Sequence, residues 1–174
     1  MPAAERPILQ IVGYKNSGKT TLLTALIRKF RAEGRSVAAI KHDAHGFEFD
    51  RPGTDTRRMA EAGTDLVAIT SPSRTAWTRS RPASLDELIA LASGTDVVLV
   101  EGFKDAPHPK LVLLRGEADL PLIGLPNAAA AIVPAEAGWM PPSPGLPVYS
   151  RDDVDGIFRF ARSLLAGGTN RFPG

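Results

Sequence analysis

The stretch Gly13-Tyr14-Lys15-Asn16-Ser17-Gly18-Lys19-Thr20 limits what this chain can fold into more than any other part of it. It fits G-x-x-x-x-G-K-[ST], a loop whose backbone N–H groups wrap around nucleotide phosphates. Glycine stands at both ends because the loop turns tightly and brings its backbone against an anion. Lys19 would place a point charge near the β- and γ-phosphates, and the Thr20 hydroxyl would hold Mg²⁺. The neighbouring residues give the pattern its context. Ile8-Leu9-Gln10-Ile11-Val12 reads as a buried strand running into the loop. Leu22, Leu23, Leu26, Ile27 and Phe30 recur at helical spacing as one apolar stripe, which predicts a helix over 18–33 with Gly34 as its left-handed cap. A strand, a glycine loop and a helix N-terminus are the parts an anion site needs, because the first helical N–H groups are unpaired and lie at the positive end of the dipole.

The rest of the chain repeats this alternation. Residues 36–41 read as a second strand, 54–62 as a short helix, 66–70 as a third strand and 74–78 as a returning one. Ser84 and Glu87 form a capping box for a helix carrying Leu85, Leu88, Ile89 and Ala92. The aliphatic run Val97-Val98-Leu99-Val100 predicts a strand buried on both faces, as in the middle of a parallel sheet. Residues 111–114 and 128–133 read as two more strands, and the repeated prolines of 134–147 as loop. Ser150 and Asp153 look like the cap of a final helix through Val154, Ile157, Phe158, Ala161, Leu164 and Leu165, weakened by Gly156. Strand–helix alternation of this kind gives a three-layer α/β fold, with a mostly parallel central sheet and helices on both faces. One nucleotide-binding domain is expected over 1–167, followed by a mobile tail at 168–174.

Composition excludes several chemistries. The 174 residues include no cysteine, so disulfides, zinc–thiolate sites and cysteine nucleophiles are ruled out. A formal net charge of +2, with Lys and Arg scattered, does not argue for nucleic acid. No apolar run approaches the ~20 residues of a membrane helix, and Glu5, Arg6 and Pro7 break up any signal-peptide pattern. A cytoplasmic protein that binds neither membrane nor nucleic acid is expected.

In a doubly wound sheet the ligand lies outside the C-terminal ends of the strands. Glu101 ends the run 97–100, where such proteins place an acid in the Mg²⁺ shell. Asp43 follows the second strand and could hold a metal-bound water or orient an attacking one. Gly102 either lets its N–H approach the γ-phosphate or simply turns the chain. His42, His45, Glu48 and Asp50 match no tight ligand spacing and read as a polar loop near the nucleotide. Arg74, Arg79 and Arg81 would be the lid of a small-molecule kinase, the alternative enzyme reading.

Five motifs together narrow the field. Gly13-Tyr14-Lys15-Asn16-Ser17-Gly18-Lys19-Thr20-Thr21, Lys41-His42-Asp43-Ala44-His45, Asp50-Arg51-Pro52-Gly53-Thr54-Asp55-Thr56-Arg57, Glu61-Ala62-Gly63 and Val100-Glu101-Gly102-Phe103-Lys104 resemble those of the MobB family of molybdopterin-guanine dinucleotide biosynthesis proteins. The resemblance covers most of residues 8–115. It implies a P-loop NTPase fold that binds GTP with Mg²⁺, hydrolyses it slowly and is usually a homodimer. It also implies an accessory role to the MobA-type guanylyltransferase that joins GMP to molybdopterin, with the pterin itself a possible ligand. Carried over by motif, residues 13–21 bind the phosphates and Thr20, Asp43 and Glu101 surround the metal; Lys19, Asp43 and Glu101 are the candidates for hydrolysis, and Gly102 is a further candidate for nucleotide binding. No N-K-x-D guanine-reading motif is present, since Asn127 is followed by alanines, so guanine is implied by the resemblance alone. A nucleotide-switched adaptor without essential hydrolysis fits the same residues.

Overall fold

β1 (Ile8–Gly13) lies in the middle of a six-stranded sheet of order β2-β5-β1-β6-β7-β8. The other strands are β2 (Val37–Lys41), β5 (Val97–Glu101), β6 (Lys110–Leu113), β7 (Ala128–Val133) and β8 (Val148–Ser150). Every pairing in this sheet is parallel. The computed structural model describes residues 7–43, 46–48, 50–141 and 145–167, so the tail 168–174 and His45 fall outside the described residues. The chain divides into two compact units, one made of residues up to His42 and from Ile89 onward, the other running from Asp43 to Leu88.

Burial on both faces explains why β1, β5, β6 and β7 read as nearly continuous apolar runs. On one face Leu9, Ile11, Leu99, Leu111, Leu113, Ala130 and Ile132 pack against α1 (Lys19–Ala32) and α4 (Val154–Ala166). The stripe predicted for α1 is that contact: Leu22, Leu23, Leu26 and Phe30 are buried, and Phe30 meets Phe158 edge to face at 4.9 Å. On the opposite face Val12, Val112, Leu114, Ala131 and Val133 cluster with Leu122, on a 3-10 helix over Glu117–Gly124 that sequence patterning did not anticipate. Its apolar residues have no 3.6 period and Pro121 interrupts it, so no helical signal is visible.

Two local expectations are corrected. The stretch 134–147 does not lead directly into a helix cap: β8 intervenes, and Ser150 belongs to it. The cap of α4 is Asp153 itself, whose Oδ1 accepts from Gly156 N at 2.8 Å. A Cβ on Gly156 would lie 2.1 Å from Asp153 Oδ2, so this glycine makes room for the cap. Gly156→Ala should therefore recover little of the ~1 kcal/mol that alanine gains over glycine in a helix. Asp153→Ala is expected to cost about 1 kcal/mol in the natural sequence and nearly nothing beside Gly156→Ala, a coupling that a double-mutant cycle by urea unfolding reads directly.

The second unit is built on an antiparallel hairpin of β3 (Leu66–Thr70) and β4 (Thr75–Arg79), with α2 (Asp55–Glu61) against β3. The strand expected at 66–70 is present, but it pairs only with β4 and does not join the parallel sheet. The Ser84–Glu87 capping box is formed in both directions, at 2.9 and 3.2 Å, at the start of α3 (Leu85–Leu91).

Candidate functional site: the loop at the end of β1

β1 ends at Gly13, and its position in the sheet makes that glycine obligatory. A Cβ there would stand 2.5 Å from Ser17 Oγ and 2.8 Å from the carbonyl O of Leu113 on neighbouring β6. The loop then turns through two left-handed residues, Asn16 (φ 62°) and Gly18 (φ 91°), and Gly18 is the N-cap of α1. Its cap uses no side chain, which leaves the first N–H groups of α1 open toward a ligand. Ser17 is fully buried and its Oγ has no hydrogen-bond partner among the described residues. Tyr14, Lys15, Asn16, Thr20 and Thr21 face outward.

Lys19 and Thr20 bring the loop to β5. Lys19 Nζ donates to the Tyr14 carbonyl at 2.7 Å, and Thr20 Oγ1 donates to Glu101 Oε2 at 2.8 Å. Glu101 is not a strand-end acid facing water: it is 5% exposed, and its other oxygen lies 3.5 Å from Lys41 Nζ. Burial holds the Lys19 ammonium below the usual lysine range, and the charges of Lys104, Lys41 and Arg115 push the same way while Glu101 opposes them. Cations outnumber anions around this loop, which suits a multiply charged anion.

Gly102 answers the question its sequence left open. Its N–H donates to the Ile11 carbonyl at 3.0 Å, so that donor belongs to the sheet, and its φ of 92° makes glycine a requirement of the turn. Gln10, a polar residue inside an apolar strand, fixes the same turn by donating to the carbonyls of Gly102 (2.9 Å) and Phe103 (2.6 Å). Asp43 opens the second unit and is exposed.

Lys104, from the fifth motif, and several residues that patterning did not single out also touch the loop. Arg115 donates to the Lys15 carbonyl at 3.2 Å and forms a two-point pair with buried Asp119 at 2.8 and 2.8 Å. Lys104 Nζ stands 4.1 Å from the Tyr14 ring centre. Arg151, just after β8, lies beside Gly18 and donates to the Leu114 carbonyl at 3.3 Å. Arg115 and Asp119 are four apart in a segment without periodicity, and Arg151 is a single basic residue, so neither carried a sequence signal.

The hydrogen bonds from Arg115 hold the Asp119 carboxyl below the usual aspartate range. Stability from this pair is therefore fully present above about pH 4, where an unfolded aspartate ionises, and is lost as pH falls through the lower folded value. Asp119→Asn should lower stability at pH 7 and flatten its decline below about pH 4, measured by urea unfolding at both ends.

In the second unit, Asp50 Oδ1 accepts from Arg51 N at 3.1 Å and Thr54 Oγ1 at 3.0 Å, which ties the motif around it into the start of α2. Arg79 and Arg81 both pair with Glu87, at 3.4 and 3.1 Å. Among the described residues no cluster of three or more His, Asp or Glu is placed to hold a metal alone.

The family model described as "Molybdopterin guanine dinucleotide synthesis protein B" matches residues 8–134, which take in the loop, Glu101 and Arg115. The chain belongs to the MobB family. A "probable molybdopterin-guanine dinucleotide biosynthesis adapter protein" of Bacillus subtilis is 38% identical over 92% of this chain and 94% of its own. The molybdopterin-guanine dinucleotide biosynthesis adapter protein of Haemophilus influenzae is 44% identical over 67% of each chain. Among solved structures, Bacillus subtilis MobB superposes with a TM-score of 0.77 at 32% identity, covering 91% of this chain and 97% of that one. The MobB homologue of Bacillus stearothermophilus gives 0.73 at 30%, covering 92% and 99%. The three-layer fold expected from the alternating elements is that of MobB.

Proposed function

We propose that this MobB-family protein binds GTP with Mg²⁺ at the loop 13–20, hydrolyses it slowly, and serves as an adapter in the making of molybdopterin guanine dinucleotide. The observation that carries the proposal is the 2.8 Å contact between Thr20 Oγ1 and buried Glu101, at the N-terminus of α1 beside Lys19. Two hard oxygens at that place fit Mg²⁺, which takes one or two protein oxygens and completes its shell with phosphate and water. Bound there, Mg²⁺ would supply charge neutralisation at the phosphates. The chain's own part is to aim the open N–H groups of α1 and the Lys19 ammonium at the β- and γ-phosphates, and to keep Thr20 and Glu101 in register. Asp43 is proposed as the residue that orients the attacking water. Guanine and the slow rate are proposed from the resemblance of the five motifs to those of the MobB family.

The description of the Bacillus subtilis and Haemophilus influenzae relatives as adapter proteins supports the adapter role. The proposed partner is the guanylyltransferase that joins GMP to molybdopterin, with the pterin as a second candidate ligand, and the proposed setting is the cytoplasm, where nucleoside triphosphates and Mg²⁺ are supplied. A homodimer is proposed too, and the half-exposed Leu66 and Trp77, on one face of the β3–β4 hairpin, are the surface a second copy would cover. A two-stranded sheet is marginal alone, which favours such covering.

The experiment is calorimetric titration with GTP and ATP, with and without Mg²⁺. Tighter binding of GTP in Mg²⁺ is expected; a preference for ATP would sink the guanine assignment. A variant that binds but cannot hydrolyse separates enzyme from switch: if it still supports cofactor maturation, the nucleotide acts through binding.

A further inference from the structure

The phosphate loop contains a strained residue that glycine does not relieve. Asn16 sits at φ 62°, a conformation that costs a non-glycine residue about 1 kcal/mol or more and persists only where its surroundings hold it. Directly before it, the Lys15 carbonyl accepts from Arg115 Nη1 at 3.2 Å. Directly after it, Ser17 N donates to the Tyr14 carbonyl at 3.3 Å, and that carbonyl also accepts from Lys19.

Arg115 is not placed to leave this contact. Its Nε and Nη2 donate to Asp119 Oδ2 and Oδ1, both at 2.8 Å, and its backbone N donates to Oδ2 at 2.9 Å. Asp119 is itself 2% exposed, held by the 3-10 helix that packs on the sheet. A buried carboxylate that accepts three hydrogen bonds from one residue fixes that residue in a single rotamer. The guanidinium also lies 5.2 Å from the Tyr14 ring centre, so it grips the loop through backbone and aromatic face alike.

We propose that the Arg115–Asp119 pair is a positioning clamp that sets residues 14–17 in the phosphate-receiving shape before any ligand arrives. The inference rests on the proposal that this loop binds nucleotide phosphate. Arg115 is a positioning residue here, since its donors face Asp119 and the Lys15 carbonyl. Pre-organisation of this kind raises affinity by removing the cost of ordering the loop on binding.

The test uses the full chain with Arg115→Ala, Arg115→Lys and Asp119→Asn. Two readouts are taken: affinity for Mg²⁺·GTP and Mg²⁺·GDP, and amide hydrogen exchange of the ligand-free protein. Each variant is expected to weaken GTP and GDP about equally, by roughly tenfold, and to speed exchange at Lys15, Asn16 and Ser17 by a larger factor than at the amides in the middle of α1, which report only the change in global stability. Arg115→Lys should fail to rescue, because an ammonium cannot span Asp119 and the Lys15 carbonyl together. A loss for GTP ten times that for GDP would overturn the clamp in favour of direct γ-phosphate contact. Unchanged exchange at residues 15–17, or exchange that rises equally throughout α1, would overturn it as well. If the natural protein binds neither nucleotide, the nucleotide proposal fails on its own, and the exchange rates still decide whether the clamp orders the loop.

Discussion

Lys19→Ala is expected to weaken binding of Mg²⁺·GTP by about a hundredfold while leaving the ligand-free protein no less stable. The first half follows from the loss of a charged donor to two phosphates, each such contact contributing about 1.5–3 kcal/mol. The second half follows from the surroundings of Lys19. Its charged form is disfavoured by burial and by Lys104, Lys41 and Arg115, with Glu101 only partly compensating. A lysine whose folded pKa is depressed costs stability wherever it is protonated, at all pH values below the unfolded value of about 10.4. Removing it therefore relieves a repulsion, at the loss of a hydrogen bond to the Tyr14 carbonyl. Thermal unfolding with and without nucleotide checks both halves: the ligand-free midpoint should stay or rise, and the shift given by GTP should shrink. Equal affinity in the natural and variant proteins would remove Lys19 from the site.

The elements that carry this site were legible because their signals are local. The glycines at 13 and 18, the apolar run into them and the helical stripe behind them all lie within 23 residues, from Ile8 to Phe30. Glu101 was legible for a related reason, since a strand buried on both faces leaves its terminal acid at the sheet's C-terminal edge. What stayed hidden depends on contacts distant in sequence. Arg115 reaches Lys15 across 100 residues, and nothing in the 3-10 segment distinguishes Asp119 from a surface acid until the fold buries it. The strands at 66–70 and 74–78 were legible but their separate sheet was not, because a short apolar run such as Leu66–Ile69 reads alike in a central sheet or in a separate one. Pairing with β4 alone, not composition, separates the two.

Glu101→Gln tests the other half of the site, and the sign of its effect depends on the metal. The carboxylate is buried, accepts from Thr20 at 2.8 Å and lies 3.5 Å from Lys41. Glutamine keeps the shape and an acceptor but loses the charge. With Mg²⁺ present the charge is useful, because a dication held by Thr20 and phosphate oxygens gains from a nearby anion. In a chelator the same charge opposes the phosphates, since like charges a few ångströms apart in a desolvated site repel. The natural protein should therefore bind GTP at least about tenfold more tightly with Mg²⁺ than without it, and Glu101→Gln should bring that ratio close to one. Part of the collapse should come from tighter binding in the chelator, an effect that general damage to the loop would not produce. If Glu101→Gln instead weakened binding by the same factor in both conditions, Glu101 would be a strand-end support for Thr20 and Lys41 with no part in the metal shell. Titration of both proteins in Mg²⁺ and in EDTA decides between the two, and far-ultraviolet circular dichroism checks that the sheet around β5 is intact.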